Sequence, residues 1–315
     1  MKILIAKGGS EQEKDIADSA ALRIEYELKR HNMEVSTEEI TNVLKNTDII
    51  TEYDFIYIIS YGGIGENGAF QAIVQEKGVP YSGSIGTVSA ISKDKYFFNK
   101  ICTLLGINIP KFFSISSNSC RKEFILKMKE SDLQYPVILK PRFNGGSSVG
   151  IKKIYNEYDF EKAVLENKSI DDYFLIQDYV DGDDYISGII RNNQKVELIS
   201  VGKAKINKDE NFYCRYTSGS PLFTLLNKQN DFLVSEIKKI SEKIADFFEI
   251  GGMGYIDFRV KNNIPYVIEL GVMYGISEYS IIPFSGQEAG LDLYDLICFD
   301  IKQSLRRCGV NYEQL

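Results

Sequence analysis

The chain of 315 residues contains a single histidine, His31. A Ser-His-Asp, Cys-His or multi-histidine metal mechanism would rest on that residue alone. Its place at the end of a polar helical segment suits a surface role instead. The five cysteines, Cys102, Cys120, Cys214, Cys298 and Cys308, include no C-x-x-C pair, so zinc and thioredoxin-like readings lack support. Their odd, scattered number fits reduced thiols and a cytoplasmic protein. No apolar run reaches the length of a signal peptide or membrane span, and "MKILIAKGG" reads as a first strand. Net charge is −7 without a basic patch, which argues against nucleic acid and anionic membranes as partners. Repeats and low-complexity tracts are lacking. So is G-x-x-x-x-G-K-[ST], which excludes a Walker-type P-loop.

What is present alternates between short apolar runs and helical periodicity, the pattern of an α/β chain. "KILIAK" and "DFIYIISYGG" read as buried parallel strands. Between them, Ile16, Ala20, Ile24 and Leu28 fall at helical spacing, and "AFQAIVQEKG" reads as a short helix closed by glycine. A second unit runs helix, strand, helix, strand, helix, strand from "DKYFFNKICTLLG" to "YFLIQDYV". A third opens on the strands of "DYISGIIRNNQKVELISVGKAKI". Its long helix carries Leu233, Ile237, Ile240, Ile244 and Phe247, followed by a hairpin, "GYIDFRVKNNIPYVIELG", and a final helix from about Gln287. The expected boundaries are 1–92, 93–183 and 184–315.

Two glycine-rich stretches and one acidic pair carry the chemistry. Gly63, Gly65 and Gly68 form G-x-G-x-x-G, but no Asp or Glu lies between Glu76 and Asp94 to take a ribose, so a nicotinamide site is disfavoured. "KPRFNGGSSVG", residues 140–150, offers exposed N–H groups beside Lys140, as a phosphate-holding flap would. Alone, it reads better as a hairpin turn with a solvated lysine. In the C-terminal hairpin, pairing Lys261 with Pro265 sets Phe258 opposite Ile268, Ile256 opposite Leu270 and Val260 opposite Tyr266. It leaves Asp257 facing Glu269 on the other side. Two such carboxylates need a cation between them, and magnesium bridging to nucleotide phosphates is the common solution; Arg259 on the same face is the other candidate.

Taken together these segments resemble the ATP-grasp ligases, specifically the D-alanine–D-alanine ligase family, over nearly the whole chain and in motif order. "GENGAFQAIVQEKGVPYSGS" is similar to the family's segment ending in P-Y-T-G-S, and "SAISKDK" to S-A-x-x-x-D-K. "KPRFNGGSSVGI" is similar to the flap, with one extra residue. "GYIDFRV…YVIELG" resembles the metal-binding hairpin, and "SEYSIIP" the S-x-x-P helix start. The resemblance implies an α/β ATP-grasp fold of three consecutive subdomains, with ATP between the central and C-terminal ones. It implies small amino-acid substrates, magnesium and a homodimer. A carboxylate would be phosphorylated by ATP and then attacked by an amine. Lys95, Lys140, Ser148 and Arg215 would hold phosphates, Gln177, Tyr179 and Val180 adenine, and Asp184 the ribose. Asp257 and Glu269 would bind magnesium. Glu13, with Ser147 and Tyr216, would receive the first substrate's ammonium, and Gly275 and Ser280 would serve the second substrate.

Five positions depart from the pattern. Tyr61 replaces the family's His, Tyr255 its Arg, Gly271 its Asn and Tyr274 its Pro, while Arg259 stands where an apolar residue lies near adenine. Three readings follow: a ligase with an altered acceptor, a true D-alanine–D-alanine ligase of peptidoglycan synthesis, or a non-catalytic ATP binder. The donor and ATP sides are retained while the acceptor side is rewritten, which favours the first.

Overall fold

The computed structural model describes residues 1–11, 13–192, 195–204, 223–226 and 231–310. The chain begins with β1 (Lys2–Gly9), α1 (Lys14–Arg30), β2 (Glu34–Glu39), α2 (Ile40–Val43), β3 (Phe55–Tyr61), α3 (Ala69–Glu76) and α4 (Gly86–Lys93). Its strands form a parallel sheet ordered β2-β1-β3. The centres of β1 (residues 3–6) and β3 (residues 55–59) are apolar on both faces because both are covered: α1 packs on Ile3, Ile5 and Tyr57, and α3 on Leu4, Ile56 and Ile58. The buried stripe of α1 runs through Ala17, Ala20, Ala21, Ile24 and Leu28. Ile16, expected within it, is 38% exposed, because the buried stripe begins one position later, at Ala17. The polar edge strand β2, "EVSTEE", gave no apolar signal and was not expected. His31 is exposed and stacks on Tyr294 at 3.5 Å between centroids, in line with its expected surface role.

Next come α5 (Lys95–Leu104), β4 (Phe112–Ser116), α6 (Arg121–Glu130), β5 (Val137–Pro141), β6 (Lys152–Ile154), α7 (Glu157–Asn167) and β7 (Tyr173–Asp178). The strands make an antiparallel sheet ordered β4-β7-β5-β6, with α6 and α7 on one face and Phe124 stacked on Phe160. Helix α5 packs Phe98 and Cys102 into the core of the following sheet instead.

The chain continues through β8 (Asp183–Arg191), β9 (Val196–Ala204), β10 (Phe223–Leu225), α8 (Phe232–Phe248), β11 (Met253–Lys261), β12 (Ile264–Gly271), α9 (Ile281–Glu288) and α10 (Leu293–Arg307). The sheet is ordered β10-β9-β8-β11-β12. α8 buries Leu233, Val234, Ile237, Ile244 and Phe248 beneath it, each side chain contributing about 1.5–3 kcal/mol by leaving water. Phe247, expected inside, is exposed; its neighbour Phe248 takes the inward position. The last helix also differs from expectation. Gln287 lies near the end of α9, and α10 starts separately after a capping box between Asp292 and Asp295.

The β11–β12 hairpin decides the acidic pair. Asn262 and Asn263 both adopt left-handed φ, of 52° and 61°, which makes a two-residue turn that matches strand twist. Lys261 therefore pairs with Ile264, Val260 with Pro265 and Phe258 with Val267. These pairs lie one residue from the expected register, because the three-residue loop assumed there is shorter in fact. A bulge between Asp257 and Phe258 restores the offset, so that Ile256 does face Leu270 and Asp257 does face Glu269. Ile256, Phe258 and Val260 are buried on one face, while Tyr255, Asp257 and Arg259 stand half-buried on the other.

Candidate active site

A cleft of about 200 Å3 lies where the three sheets meet, lined by Glu13, Tyr61, Glu66, Lys93, Lys95, Lys140, Ser148, Gln177, Tyr179, Val180, Asp184, Tyr255, Asp257, Arg259 and Glu269, among others. Most residues expected to carry the site are thus brought together from positions hundreds of residues apart. The backbone of Ser147 lies in the helical turn Gly146–Ser148 of the flap. Arg215 and Tyr216 lie outside the described residues. Gly275 and Ser280 are not among the residues lining the cleft; Ser280 precedes α9 and its hydroxyl meets that of Ser277 at 2.9 Å.

The flap is pinned at its base. Asp94 caps α5 by accepting from the N–H groups of Tyr96 and Phe97, and it also takes a bidentate pair from Arg142 at 2.7 and 2.6 Å. Asp171 Oδ2 accepts from the N–H groups of Phe143 and Asn144. Lys95 donates to the Asn144 carbonyl at 3.3 Å. At the flap's tip, a Cβ on Gly146 would collide with the carboxylate of Glu13. Glycine lets the flap sit directly against the carboxylate of Glu13, the buried residue that opens α1; any larger residue would require that carboxylate to shift.

Lys140 is 3% exposed on β5. Burial pushes its pKa down to about 8, with Glu269 opposing and Lys95 adding to the fall. Burial likewise lowers Lys95, against the pull of Glu269. These two ammonium groups, costly to hold in a dry site, are placed for an anionic ligand. Two further polar atoms are buried with no partner among the described residues: Gln177 Nε2 and Asp184 Oδ2. Unmet donors and acceptors at a cleft wall are what a nucleotide's base and ribose would satisfy. Asp257 and Glu269, side by side on β11 and β12, suit a hard cation that takes few protein oxygens and completes its shell from phosphates and water. Two carboxylates suit magnesium shared with a phosphate ligand, since that ion is commonly held by one or two protein carboxylates beside substrate phosphates; among the described residues there is no cluster of three or more metal-binding side chains.

The departures acquire geometry. The outer end of the Tyr255 ring occupies the space into which a side chain at position 271 would project, since a Cβ on Gly271 would collide with it. The two changes are therefore coupled. The Tyr61 hydroxyl donates to the Tyr274 carbonyl at 3.1 Å. The Tyr274 phenol is turned inward, meeting Tyr57 at 2.9 Å and Asp300 at 3.4 Å. It does not line the cleft, contrary to the expectation that it adds aromatic surface there; its hydroxyl finds partners only in the interior. Arg259 donates to Asp184 at 2.7 Å and, through Nε and Nη2, to the Val180 carbonyl. Burial raises the pKa of Asp184 although Arg259 pulls it down.

Sequence reasoning missed Lys93, Glu66, Arg142 and Asp171. Glu66 sits within "GENG" and Lys93 within "SKDK", so both were inside motifs already singled out, but nothing in linear order pairs them.

Two sheets closing on a glycine-rich flap, buried lysines and an acidic hairpin define an ATP-grasp fold. The model for the D-ala D-ala ligase C-terminus matches residues 101–301, and the chain belongs to the D-alanine–D-alanine ligase family. It is 28% identical over 320 residues to the D-alanine–D-alanine ligase of Thermotoga maritima, covering 98% of this chain and 99% of that one. It is 26% identical over 298 residues to that of Aquifex aeolicus, covering 94% and 98%. Among solved structures, the ATP complex of the Bacillus anthracis D-alanine–D-alanine ligase superposes with a TM-score of 0.80 at 22% identity, covering 98% of each chain. The VanG D-Ala:D-Ser ligase of Enterococcus faecalis does so at 0.78 and 18%, covering 96% of this chain and 99% of that one.

Proposed function

We propose that this ATP-dependent ligase of the D-alanine–D-alanine ligase type joins an amino acid to an amine acceptor that is less anionic, larger or more apolar than D-alanine. ATP and magnesium are its cofactors, and small amino acids are its substrates. Glu13 receives the first substrate's ammonium, with Ser147 and Tyr216. Lys95, Lys140, Ser148 and Arg215 hold the phosphates. Gln177, Tyr179 and Val180 hold adenine and Asp184 the ribose. Magnesium between Asp257 and Glu269 would neutralise phosphate charge as the γ-phosphoryl group moves to the carboxylate. The resulting acyl phosphate is attacked by the amine, and phosphate leaves. The protein's part is positioning and charge neutralisation.

The observation behind the altered acceptor is the Tyr255 ring lying over Gly271. A phenol donates one hydrogen bond where a guanidinium would pair bidentately with a carboxylate. Arg259 is engaged with Asp184 and Val180, at the nucleotide end of the cleft, and this supports the view that it does not restore that charge. The fold already carries another acceptor in VanG, a D-Ala:D-Ser ligase. We further infer three subdomains, 1–92, 93–183 and 184–315, and a cytoplasmic homodimer. Among the described residues no helix is long and apolar enough to cross a membrane.

Steady-state ADP release tests the reading, with D-alanine, D-alaninamide and bulkier amines compared as acceptor. The amide or a bulkier amine should be preferred. A clear preference for D-alanine with ordinary turnover would make this a true D-alanine–D-alanine ligase, and binding of ATP without any turnover would make it a nucleotide binder only.

A further inference from the structure

We propose that Lys93 is a catalytic residue: the cation that faces the reacting carboxyl oxygen while the acyl phosphate is attacked. The proposal rests on the ligase reading above. Lys93 is the last residue of α4, directly before the cap of α5, so its backbone is fixed on both sides. Its Nζ lies 2.8 Å from Glu66 Oε2, and Glu66 also accepts from the Gly62 N–H at the end of β3. The pair is nearly enclosed, with side chains 17% and 11% exposed, and both residues line the cleft. Holding an ion pair out of water carries a desolvation penalty for each ion, and a cleft wall is a poor place for one that serves the fold alone.

The ammonium has three N–H donors, and Glu66 takes one. Burial disfavours the charge, yet Glu66, with Glu269 and Glu13 further off, keeps the Lys93 pKa above its usual value. Hydrogen bonds also locate the ammonium. Glu66 joins Lys93 to the Gly62 N–H. The adjacent Tyr61 carbonyl accepts from the Ser10 N–H, and the Ser10 carbonyl accepts from the Glu13 N–H. Lys93 therefore stands at the Glu13 end of the cleft that Glu269 also lines. A substrate whose ammonium is at Glu13 and whose carboxyl reaches the phosphoryl group near Glu269 has that carboxyl between the two. The neighbouring tyrosines carry no charge, and the Tyr61 hydroxyl is given to Tyr274.

In the step concerned, the amine nitrogen bonds to the carbonyl carbon and the carbonyl electron pair moves onto oxygen. As the tetrahedral species collapses, the C–O bond to phosphate breaks, its electron pair leaves with phosphate, and the surplus amine proton goes to that phosphate. A cation at the oxyanion stabilises this species more than the ground state, so its loss falls on kcat.

The test uses Lys93→Met, Lys93→Arg and the double variant Lys93→Met/Glu66→Gln, the last leaving no unpaired buried carboxylate. The substrates are the amino acid and amine that give the fastest wild-type ADP release in a screen of D- and L-amino acids and simple amines. Both methionine variants should lose on the order of 10²–10³ in kcat, with the ATP Kd, measured by calorimetry, changed less than about threefold. Lys93→Arg should recover a substantial part of the rate. If Lys93→Met does not fold, the double variant is read by the same thresholds. Methionine variants within about threefold of wild-type kcat overturn the proposal, as does a loss confined to ATP affinity, which would make Lys93 a phosphate ligand. A wild-type protein that releases no ADP with any pair removes the ligase reading and this role together; wild-type turnover with an indifferent Lys93 removes only the role.

Discussion

Gly271→Ala is a one-carbon test of the coupling between Gly271 and Tyr255. Gly271 is not among the glycines with left-handed φ, so alanine suits its backbone. Reduced freedom of the unfolded chain would then stabilise the variant by about 0.4–1 kcal/mol. Against this, the new methyl group overlaps the end of the Tyr255 ring, and forcing a side chain out of its place costs about 1–3 kcal/mol. The repulsion wins, and the net effect is a destabilisation of about 1 kcal/mol. In a Tyr255→Ala background the obstacle is gone and the sign reverses, to a gain of about 0.4–1 kcal/mol. The coupling across the cycle is thus about 1–3 kcal/mol, in the range found for residues in contact. Urea denaturation of the four proteins, followed by tyrosine fluorescence in this tryptophan-free chain, measures it. Any other interaction lost with the Tyr255 ring is lost in both arms of the cycle and cancels. Stabilisation by Gly271→Ala with Tyr255 in place would refute the reasoning.

Lys140, with its pKa depressed to about 8 by burial, is partly neutral above that pH, and phosphate favours the charged form. ATP binding at about pH 9 should therefore take up protons and weaken as pH rises, and Lys140→Met should reduce the uptake, leaving what Lys95 contributes, and remove most of the affinity. Calorimetry in buffers of different ionisation enthalpy reads this directly; binding without uptake would contradict it. Asp300 is pushed up to about 6 by burial, above its unfolded value of about 3.9. The native state then holds more protons between the two values, so this group's contribution to stability is full below about pH 4. Some 3 kcal/mol, as an order of magnitude, is lost as pH rises through about 6. Melting temperatures of wild type and Asp300→Asn should converge, or cross in the variant's favour, between about pH 4 and pH 7. Parallel curves over that window would show that Asp300 is not the group titrating.

By itself the sequence determined the α/β layout, because apolar runs and helical stripes are local signals: β1, β3, α1, α5 and α8 all stand where their patterns put them. Motif order also pointed to Glu13, Lys95, Lys140, Asp257 and Glu269, which line the cleft, but equally to Gly275 and Ser280, which do not. Tertiary structure decided what depends on distance through space. The hairpin's pairing required two left-handed asparagines and a bulge, which no alternation of apolar residues encodes. Edge strand β2 is polar because its outer side faces water, so it had no pattern to read. Lys93 and Glu66 lie 27 residues apart, and only the packing of α4 against the glycine-rich segment makes them an ion pair. Tyr274 follows the same logic. Its sequence position pointed to the cleft, but a phenol turns where its hydroxyl can be satisfied, and Tyr57 and Asp300 provide for that in the interior. Tyr255 and Gly271, read separately as two losses, occupy one volume because β11 and β12 pair them across the sheet.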